Sequence, residues 1–335
     1  MKYVSVREMI SIEKAADAAG HSYQAMMEAA GKGLADEINA RYGDLSNRRI
    51  AALVGSGNNG GDALVALDYL GSWGWMITAV LCRSRLDGDP LVDRVIERGG
   101  RLVDWSSGNQ ILDQVSEELT GEDLIIDGLL GTGIRLPLKD PIRSQLKTIN
   151  EYLVTLNDKP VIVAVDCPSG VDCDTGEVDP ACLPADLTVT MAAVKEGLLK
   201  FPAYTYLGEL CLVEIGLPEG LPEFTQISRE MVTHNWVKSV LPPRPLDAHK
   251  GIFGTALVIA GSINYPGAAV LAGEAAYRSG SGLVTIAVPE SIFQGLIDRL
   301  PEATWISLKD KTGGISSEAL NQIQKSLDRP TALLV

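Results

Sequence analysis

Residues 49–70 read RIAALVGSGNNGGDALVALDYL and contain the sharpest structural signal in the sequence. The apolar run over 49–54 is typical of a buried strand, and the apolar segment over 63–70 is typical of a helix. Between them, Gly55, Gly57 and Gly60 match the spacing G-x-G-x-x-G. Glycines there let the backbone approach a phosphate, and the N-terminus of the following helix favours negative charge. The stretch therefore predicts a strand, an anion-binding loop and a helix, with a purely structural turn as the alternative.

Short apolar runs recur on the C-terminal side of this unit, separated by helical or turn segments. Several are apolar almost throughout, as expected for strands that helices cover on both faces. Residues 6–42 predict two further helices ahead of the first strand. Because strand and helix alternate, residues 1–220 predict a doubly wound, Rossmann-like α/β domain with a parallel sheet. The runs lie at 76–82, 101–105, 123–127, 161–166, 186–191 and 210–215.

Three of the predicted strands lead into loops that combine glycines with polar side chains. The loops read GSGNNGGD (55–62), DGLLGTGIRLP (127–137) and DCPSGVD (166–172). Parallel strands end at one edge of a sheet, where open α/β sheets bind ligands, so the loops are expected to converge on one pocket. Their oxygen atoms suit a hard cation or the polar groups of a ligand. Turn formation and helix capping would explain any one loop taken singly.

Charged residues near this edge leave alternatives open. A dinucleotide-binding oxidoreductase places an acid near the end of the second strand to hold a ribose hydroxyl. Here that strand ends in Cys82-Arg83-Ser84-Arg85. The two arginines are either partners for a 2′-phosphate or solvated surface residues. Lys195, after a later strand, is either a phosphate or carboxylate partner or a solvated lysine.

The composition excludes several classes of protein. The 335 residues carry 29 Lys and Arg against 43 Asp and Glu, a net charge of −14, which argues against nucleic-acid or anionic-membrane partners. No apolar run approaches the roughly 18 residues that span a bilayer, and no secretory signal is visible. Five cysteines without a Cys-x-x-Cys pair predict reduced thiols, and three distant histidines do not suggest zinc. The sequence therefore predicts a soluble cytoplasmic protein.

A second α/β pattern follows a proline-rich stretch. Residues 221–247 predict a linker, and residues 248–335 predict strands at 255–262 and 282–290 around a Gly- and Ala-rich helix. The chain stops at TALLV (331–335), which predicts a buried strand. A parallel sheet of this length would be incomplete with such a strand at its terminus. The expectation is a truncated second domain.

Taken together, the three loops resemble the YjeF N-terminal family, the NAD(P)H-hydrate epimerases. GNNGGD, D-x-x-x-G-T-G and D-x-P-S-G occur in that order within residues 1–220. The resemblance implies a Rossmann-like sheet of YjeF N-terminal type, a potassium ion, a homo-oligomer, and a small-molecule substrate, hydrated NADH or NADPH. The implied reaction interconverts the R and S forms of a nicotinamide ring hydrated at C6.

The resemblance also implies roles for individual residues, and among them we expect Asp166 to be the catalytic proton-transfer group. The residues implied to bind the hydrated dinucleotide are Asn58, Asn59, Gly60, Gly61, Asp62, Gly131, Thr132, Gly133, Ile134, Arg135, Leu136, Pro137 and Asp166, and those implied to ligate potassium are Asn59, Asp127 and Ser169.

Two alternative hypotheses, each from another functional class, stay open beside the epimerase. One is a generic Rossmann-like, nucleotide-dependent oxidoreductase or transferase, against which the missing ribose-binding acid weighs. The other is a non-catalytic interaction module of the same fold. Such a module is expected to lose Asp127 or Asp166, and this sequence has both.

The tail resembles a different family, the ADP-dependent NAD(P)H-hydrate dehydratases of ribokinase-like fold. HKGIFG (249–254), AGS (260–262), PGAA (266–269) and RSGSG (278–282) carry this likeness. Ribokinase-like enzymes have a later anion loop, commonly G-T-G-D, whereas Gly-Thr-Gly occurs here only at 131–133. We therefore expect a complete gene product to add this lyase activity with ADP, and the 335-residue chain to lack it.

Overall fold

The computed structural model describes residues 1–107 and 111–335, which divide into two compact units, Met1–Lys238 and Ser239–Val335. Along the chain, the elements up to the boundary are β1 (Tyr3–Val4), α1 (Val6–Ala18), α2 (Tyr23–Tyr42), β2 (Arg49–Val54), α3 (Asn58–Ser72), β3 (Met76–Leu81), α4 (Pro90–Glu97), β4 (Arg101–Asp104), α5 (Leu112–Leu119), β5 (Leu124–Gly128), α6 (Ile142–Thr155), β6 (Val161–Val165), β7 (Leu187–Met191), β8 (Val194–Lys195), β9 (Glu209–Val213), α7 (Pro222–Thr225) and α8 (His234–Val240).

The first unit is built on a parallel sheet whose described strands lie in the order β4-β3-β2-β5-β6-β7-β9. Within this sheet, the chain enters at β2, runs outward through β3 and β4, and returns to β5 on the other side of β2. The strand order therefore reverses between β2 and β5, and this switch point opens a crevice at the carboxyl ends of the strands. The predicted doubly wound, Rossmann-like α/β fold is confirmed.

Helices cover both faces of the sheet, which explains why residues 49–54 are apolar throughout. Ile50, Ala52 and Val54 face a core formed with α1, α2 and α3, and the alternate residues Ala51 and Leu53 face a second core formed with α5 and α6. All five side chains are fully buried. A strand covered on both sides gains nothing from alternating polar residues.

The first unit extends past residue 220, into the segment predicted to be a linker. Lys2 Nζ donates hydrogen bonds to the backbone oxygens of Phe224, at 2.8 Å, and Ile227, at 2.7 Å. The backbone N–H of Met231 donates to Met1 O at 2.7 Å. The N-terminal segment thus holds this stretch against the unit, which ends at Lys238.

The second unit has a parallel sheet in the order β12 (Thr304–Leu308), β11 (Leu283–Pro289), β10 (Thr255–Ile259) and β15 (Ala332–Leu334). The strands β13 (Asp310–Lys311) and β14 (Gly314–Ile315) form a separate antiparallel pair. The last strand, predicted to be buried, lies at the edge of the sheet, and Leu333 and Leu334 are about half exposed. The elements are β10 (Thr255–Ile259), α9 (Gly267–Arg278), β11 (Leu283–Pro289), α10 (Glu290–Leu296), β12 (Thr304–Leu308), β13 (Asp310–Lys311), β14 (Gly314–Ile315), α11 (Leu320–Lys325) and β15 (Ala332–Leu334).

The five cysteines are free thiols, as predicted, and all but Cys211 are buried. Among the described residues, no helix has the length and apolar character needed to cross a membrane.

Candidate functional site

A cavity of about 910 Å³ opens at the carboxyl edge of the first sheet, where the strand order reverses. Residues from α1 and α2 close one side, and the loops after β2, β5 and β6 form the other. The three polar loops singled out in the sequence therefore converge, as expected. The predicted site residues that line the cavity are Asn58, Asn59, Gly60, Asp62, Gly131, Thr132, Gly133, Ile134 and Asp166.

The first loop presents the N-terminus of α3 to this cavity. The helix begins at Asn58, directly after Gly57, and no side chain caps it. Gly60 packs so closely on the preceding turn that a Cβ there would lie 2.1 Å from Gly55 O. Because only glycine fits, the backbone N–H groups of the first turn stay within reach of a ligand, and uncapped helix N-termini attract anions.

Gly61 is one of the predicted substrate residues that do not line the cavity. It is buried against α2, and a Cβ there would lie 2.6 Å from Met27 Sδ. Arg135, Leu136 and Pro137 lie beyond Ile134 in the second loop and also stay outside the lining.

The predicted potassium ligands form a connected cluster around Leu130, and Asn59 and Leu130 themselves line the cavity. Ser169 donates to Asp127 through both its hydroxyl, at 2.6 Å, and its backbone N–H, at 2.7 Å. Leu130 N–H donates to Ser169 Oγ at 2.9 Å, and Asn59 Nδ2 donates to Leu130 O at 3.2 Å and Val165 O at 2.6 Å. The loops after β2, β5 and β6 are thereby tied together.

Asp127 is fully buried, and burial raises the pKa of its carboxyl while the hydrogen bonds from Ser169 oppose that rise. No Lys or Arg among residues 1–107 and 111–335 forms an ion pair with Asp127. The same described ranges contain no group of three or more His, Cys, Asp or Glu placed to hold a metal ion. The predicted potassium ligands differ from such a cluster, because they are one amide, one hydroxyl and one carboxylate.

Asp166 occupies a strained turn directly after β6. Its φ is +64°, and the N–H of Cys167 donates to Val165 O at 2.7 Å, which closes a three-residue γ-turn of the rare positive-φ form. The turn aims the carboxylate at the end of β7, where Asp166 Oδ1 accepts hydrogen bonds from Thr190 Oγ1 and Met191 N–H, both at 3.0 Å. Strain of this kind persists only where surrounding contacts hold it.

Lys195 is the cationic partner of Asp166. It is 1% exposed, and its Nζ donates to Asp166 Oδ1 and, at 3.1 Å, to Met191 O. The carboxylate-partner alternative for Lys195 is therefore confirmed, and the solvated alternative is wrong. A buried ammonium this close supplies the counter-charge that an ionised carboxylate needs away from water.

Two further carboxyl groups face the same cavity, Asp62 from α3 and Glu13 from α1. Burial raises the pKa of Asp62 well above its ordinary value, the negative charges of Asp166 and Glu13 raise it further, and Lys195 opposes them. Burial also raises the pKa of Glu13, where Lys195 opposes the rise and Asp166 adds to it. The sequence analysis did not identify Glu13. Its position between the buried Met9 and Ala16, on the apolar face of α1, was the available signal.

The two arginines after β3 have different surroundings. Arg85 binds other residues of the protein, since its Nε lies 2.6 Å from Asp89 Oδ2 and its guanidinium donates to Gly55 O at 2.7 Å. Arg83 lines the cavity. Asp89 also lines it, but its other carboxylate oxygen caps α4 at Leu91 N–H.

Comparisons with known proteins match both parts of the chain. A family model described as YjeF-related protein N-terminus matches residues 23–197, and one described as NAD(P)H-hydrate dehydratase matches residues 256–329. The bifunctional NAD(P)H-hydrate repair enzyme Nnr of Dictyoglomus turgidum is 34% identical over 304 residues, covering 90% of this chain and 57% of the relative. Its namesake from Moorella thermoacetica is 33% identical over 316 residues, covering 92% and 58%. The chain thus spans less than two thirds of these relatives.

The crystal structure of the yeast protein ynu0, YNL200c, resembles this chain in fold, with a TM-score of 0.52 and 19% sequence identity. The match covers 74% of this chain and 97% of the yeast chain. The first family model spans just over half of the 335 residues and includes all three loops of the cavity. The chain therefore belongs to the YjeF N-terminal family.

Proposed function

We propose that the first unit is an NAD(P)H-hydrate epimerase that interconverts the R and S forms of hydrated NADH and NADPH. The observation that carries the proposal is the cavity that joins an uncapped helix N-terminus to Asp166, held beside Lys195. The first part suits the anionic pyrophosphate of a dinucleotide, and the second suits proton transfer. The relatives are named as NAD(P)H-hydrate repair enzymes, which supports the substrate class.

The binding part of the proposal uses the two glycine-containing loops. The N–H groups at the start of α3 and in Gly131–Gly133 would hold the pyrophosphate, with Asn58 and Thr132 as polar neighbours. Ile134 would contact an apolar part of the substrate. Gly61 supports this surface by letting α3 pack closely against Met27 of α2. Arg135, Leu136 and Pro137 stay in the proposal as the outer continuation of the second loop.

The chemistry follows from the position of the hydroxyl group on the hydrated ring. C6 lies next to the ring nitrogen, so the C6–O bond can break with assistance from the nitrogen lone pair, and water can add to the other face of the resulting iminium. The protein must protonate the departing hydroxyl and deprotonate the incoming water. Asp166 is the proposed proton-transfer residue, since it lines the cavity and its carboxylate is oriented by three hydrogen bonds.

The residues present fit a potassium ion. Asn59, Asp127 and Ser169 would hold it, because they offer only oxygen ligands of the hard kind and the buried Asp127 carboxyl lacks a cationic partner among the described residues. When bound, the ion supplies positive charge that offsets Asp127 and the charge changes of the reaction. Its proposed structural effect is to fix the loops that carry Asn59 and Gly131.

For the second unit we propose a relationship to the ADP-dependent dehydratases, in line with the family model that matches residues 256–329. We do not propose dehydratase activity for these 335 residues, since the G-T-G-D anion loop of ribokinase-like enzymes does not occur among them. Assaying the chain for ADP-dependent return of hydrated NADPH to NADPH tests this, and detectable turnover would contradict it. The homo-oligomer and the cytoplasmic location stay predictions of the sequence analysis.

The test of the epimerase is the rate at which purified R hydrate becomes a mixture of R and S, with Asp166→Asn as the variant. We expect the wild type to accelerate the conversion and Asp166→Asn to lose it by about 100-fold or more while remaining folded. Asp158→Asn is the matched control, because Asp158 is exposed and lies outside the cavity. Unchanged turnover in Asp166→Asn would remove Asp166 from the mechanism. Hydride transfer by the wild type without epimerisation would favour the oxidoreductase alternative.

A further inference from the structure

Asp62 differs from the other cavity carboxyl groups because it is buried and accepts no hydrogen bond from a described residue. It is 7% exposed and lines the cavity, and no described residue donates a hydrogen bond to its carboxyl oxygens. Its position in the first turns of α3 does not involve helix capping, since the cap residue is Gly57 and no side chain caps the helix. Burying a carboxyl without partners costs free energy, so a scaffold role does not account for it.

The charged groups that act on Asp62 are Glu13 of α1, Asp166 after β6 and Lys195 of β8, and Tyr23 at the start of α2 lines the same cavity. Lys195 is bonded to Asp166, Thr190 and Met191 rather than to Asp62. Asp62 is therefore left with two carboxyl neighbours and no direct counter-charge among these residues. This environment raises the pKa of Asp62 and favours its protonated form.

Asp62 and Asp166 thus line one cavity but have different neighbours: Asp62 lies near two carboxyl groups, whereas Asp166 is bonded to the ammonium of Lys195. An epimerisation that breaks and reforms a C–O bond on two faces of a ring needs one group that starts protonated and one that starts ionised. Pairs of carboxyl groups held in different protonation states are how enzymes assign acid and base roles at neutral pH. Resting on the epimerase function proposed above, we propose that Asp62 is a second catalytic residue that acts on the opposite face of the nicotinamide ring from Asp166.

The proposed cycle balances in atoms and charge. Asp62 gives its proton to the C6 hydroxyl, the C6–O bond breaks, and the oxygen leaves as water while the ring nitrogen lone pair forms the C=N bond of an iminium. A water molecule then adds to C6 from the other face, the C=N π electrons return to nitrogen, and Asp166 takes the proton of the added water. Asp62 ends ionised and Asp166 protonated, which is the starting arrangement for the reverse conversion. Exchange of both protons with solvent restores the first arrangement.

The experiment uses the full chain carrying Asp62→Asn, with Asp62→Glu as the conservative rescue and Asp158→Asn as the charge-matched control. We expect Asp62→Asn to lower kcat for the R hydrate by about 100-fold or more. Its dissociation constant for NADP⁺, the probe for ground-state binding, should stay within about twofold of the wild type. Asp62→Glu should recover part of kcat. An equal loss of kcat and NADP⁺ affinity in Asp62→Asn, or kcat within about threefold of the wild type, would overturn the proposal.

The pH profile of the wild type gives an independent readout that needs no variant. We expect kcat/KM to fall at high pH as the acid loses its proton, and we expect Asp62→Glu to move that alkaline limb. An alkaline limb that Asp62→Glu leaves unmoved would overturn the role of Asp62. The two proposals fail differently. A wild type without epimerase activity refutes the proposed function, whereas an active wild type beside an equally active Asp62→Asn refutes the second catalytic residue alone.

Discussion

Replacing Gly131 by alanine tests whether the Asn59 cluster supports catalysis. A Cβ on Gly131 would lie 2.4 Å from Asn59 Oδ1 and 2.8 Å from its Cγ, while ordinary contact begins at 3.4 Å. The carboxamide must therefore retreat by about 1 Å, although its Nδ2 is held by Leu130 O and Val165 O. Weakening these two hydrogen bonds costs about 1–3 kcal/mol of the free energy of unfolding.

The expected effect of Gly131→Ala on the proposed epimerase is larger than this loss of stability suggests. A displacement of about 1 Å near a reacting centre can cost about 10²-fold in rate. We therefore expect kcat for the R hydrate to fall by about two orders of magnitude, together with a higher potassium concentration for half-maximal rate. The assay is chromatography of the R and S epimers over a potassium titration, with urea unfolding of the same preparations.

Gly295→Ala is the control, since it adds the same methyl group in α10, outside the residues that line the cavity, where nothing lies within 4 Å of the new Cβ. We expect it to keep both stability and rate. Equal rates and equal potassium dependence in the two variants would refute the reasoning that Asn59 must stay in place.

Three further predictions concern Asp62, Lys195 and the C6–O bond. Burial raises the pKa of Asp62 in the folded chain, so the folded chain retains a proton that the unfolded chain releases above about pH 4. The free energy of unfolding therefore falls by about 1.4 kcal/mol per pH unit as pH rises towards the folded-state pKa of Asp62. Asp62→Asn should then exceed the wild type in free energy of unfolding at neutral and alkaline pH and match it near pH 4; a constant difference in urea titrations across this range would contradict this. Lys195→Met should lower the free energy of unfolding by about 3–5 kcal/mol, because it leaves the carboxylate of Asp166 without its buried partner. Lys325→Met, on the exposed surface, should change the free energy of unfolding little. Equal effects of the two substitutions would contradict the pairing of Lys195 with Asp166. In ¹⁸O-labelled water each epimerisation should place one labelled oxygen on C6, as measured by mass spectrometry, and epimerisation without label would exclude C–O cleavage.

The sheet could be predicted because its physical causes are local. The apolar run over 49–54 needs cover on both faces, and the structure supplies a core on each side of β2. The convergence of the loops carrying Asn59, Asp127 and Asp166 followed from the rule that parallel strands end at one edge. These features depend on short patterns and on the direction of strands, both of which the sequence contains.

Other features depend on contacts between distant residues and could not be predicted from local patterns. The pairing of Lys195 with Asp166 joins residues 29 positions apart and requires the positive-φ turn at Asp166. Glu13 reaches the cavity only because α1 packs beside it, and its place on the apolar face of α1 does not by itself tell which pocket it enters. The contacts of Lys2 with the backbone beyond residue 220 span more than 200 positions, so the extent of the first unit to Lys238 depends on contacts that no local pattern contains.

The most direct test of the proposed activity is the epimer composition of hydrated NADPH over time. Purified R hydrate is mixed with the wild-type chain in potassium chloride, in sodium chloride and in buffer without protein, and the epimers are separated by chromatography. The account predicts rapid approach to the R and S mixture with protein and potassium, a slower approach in sodium, and the slowest without protein. Identical time courses in all three mixtures would contradict it.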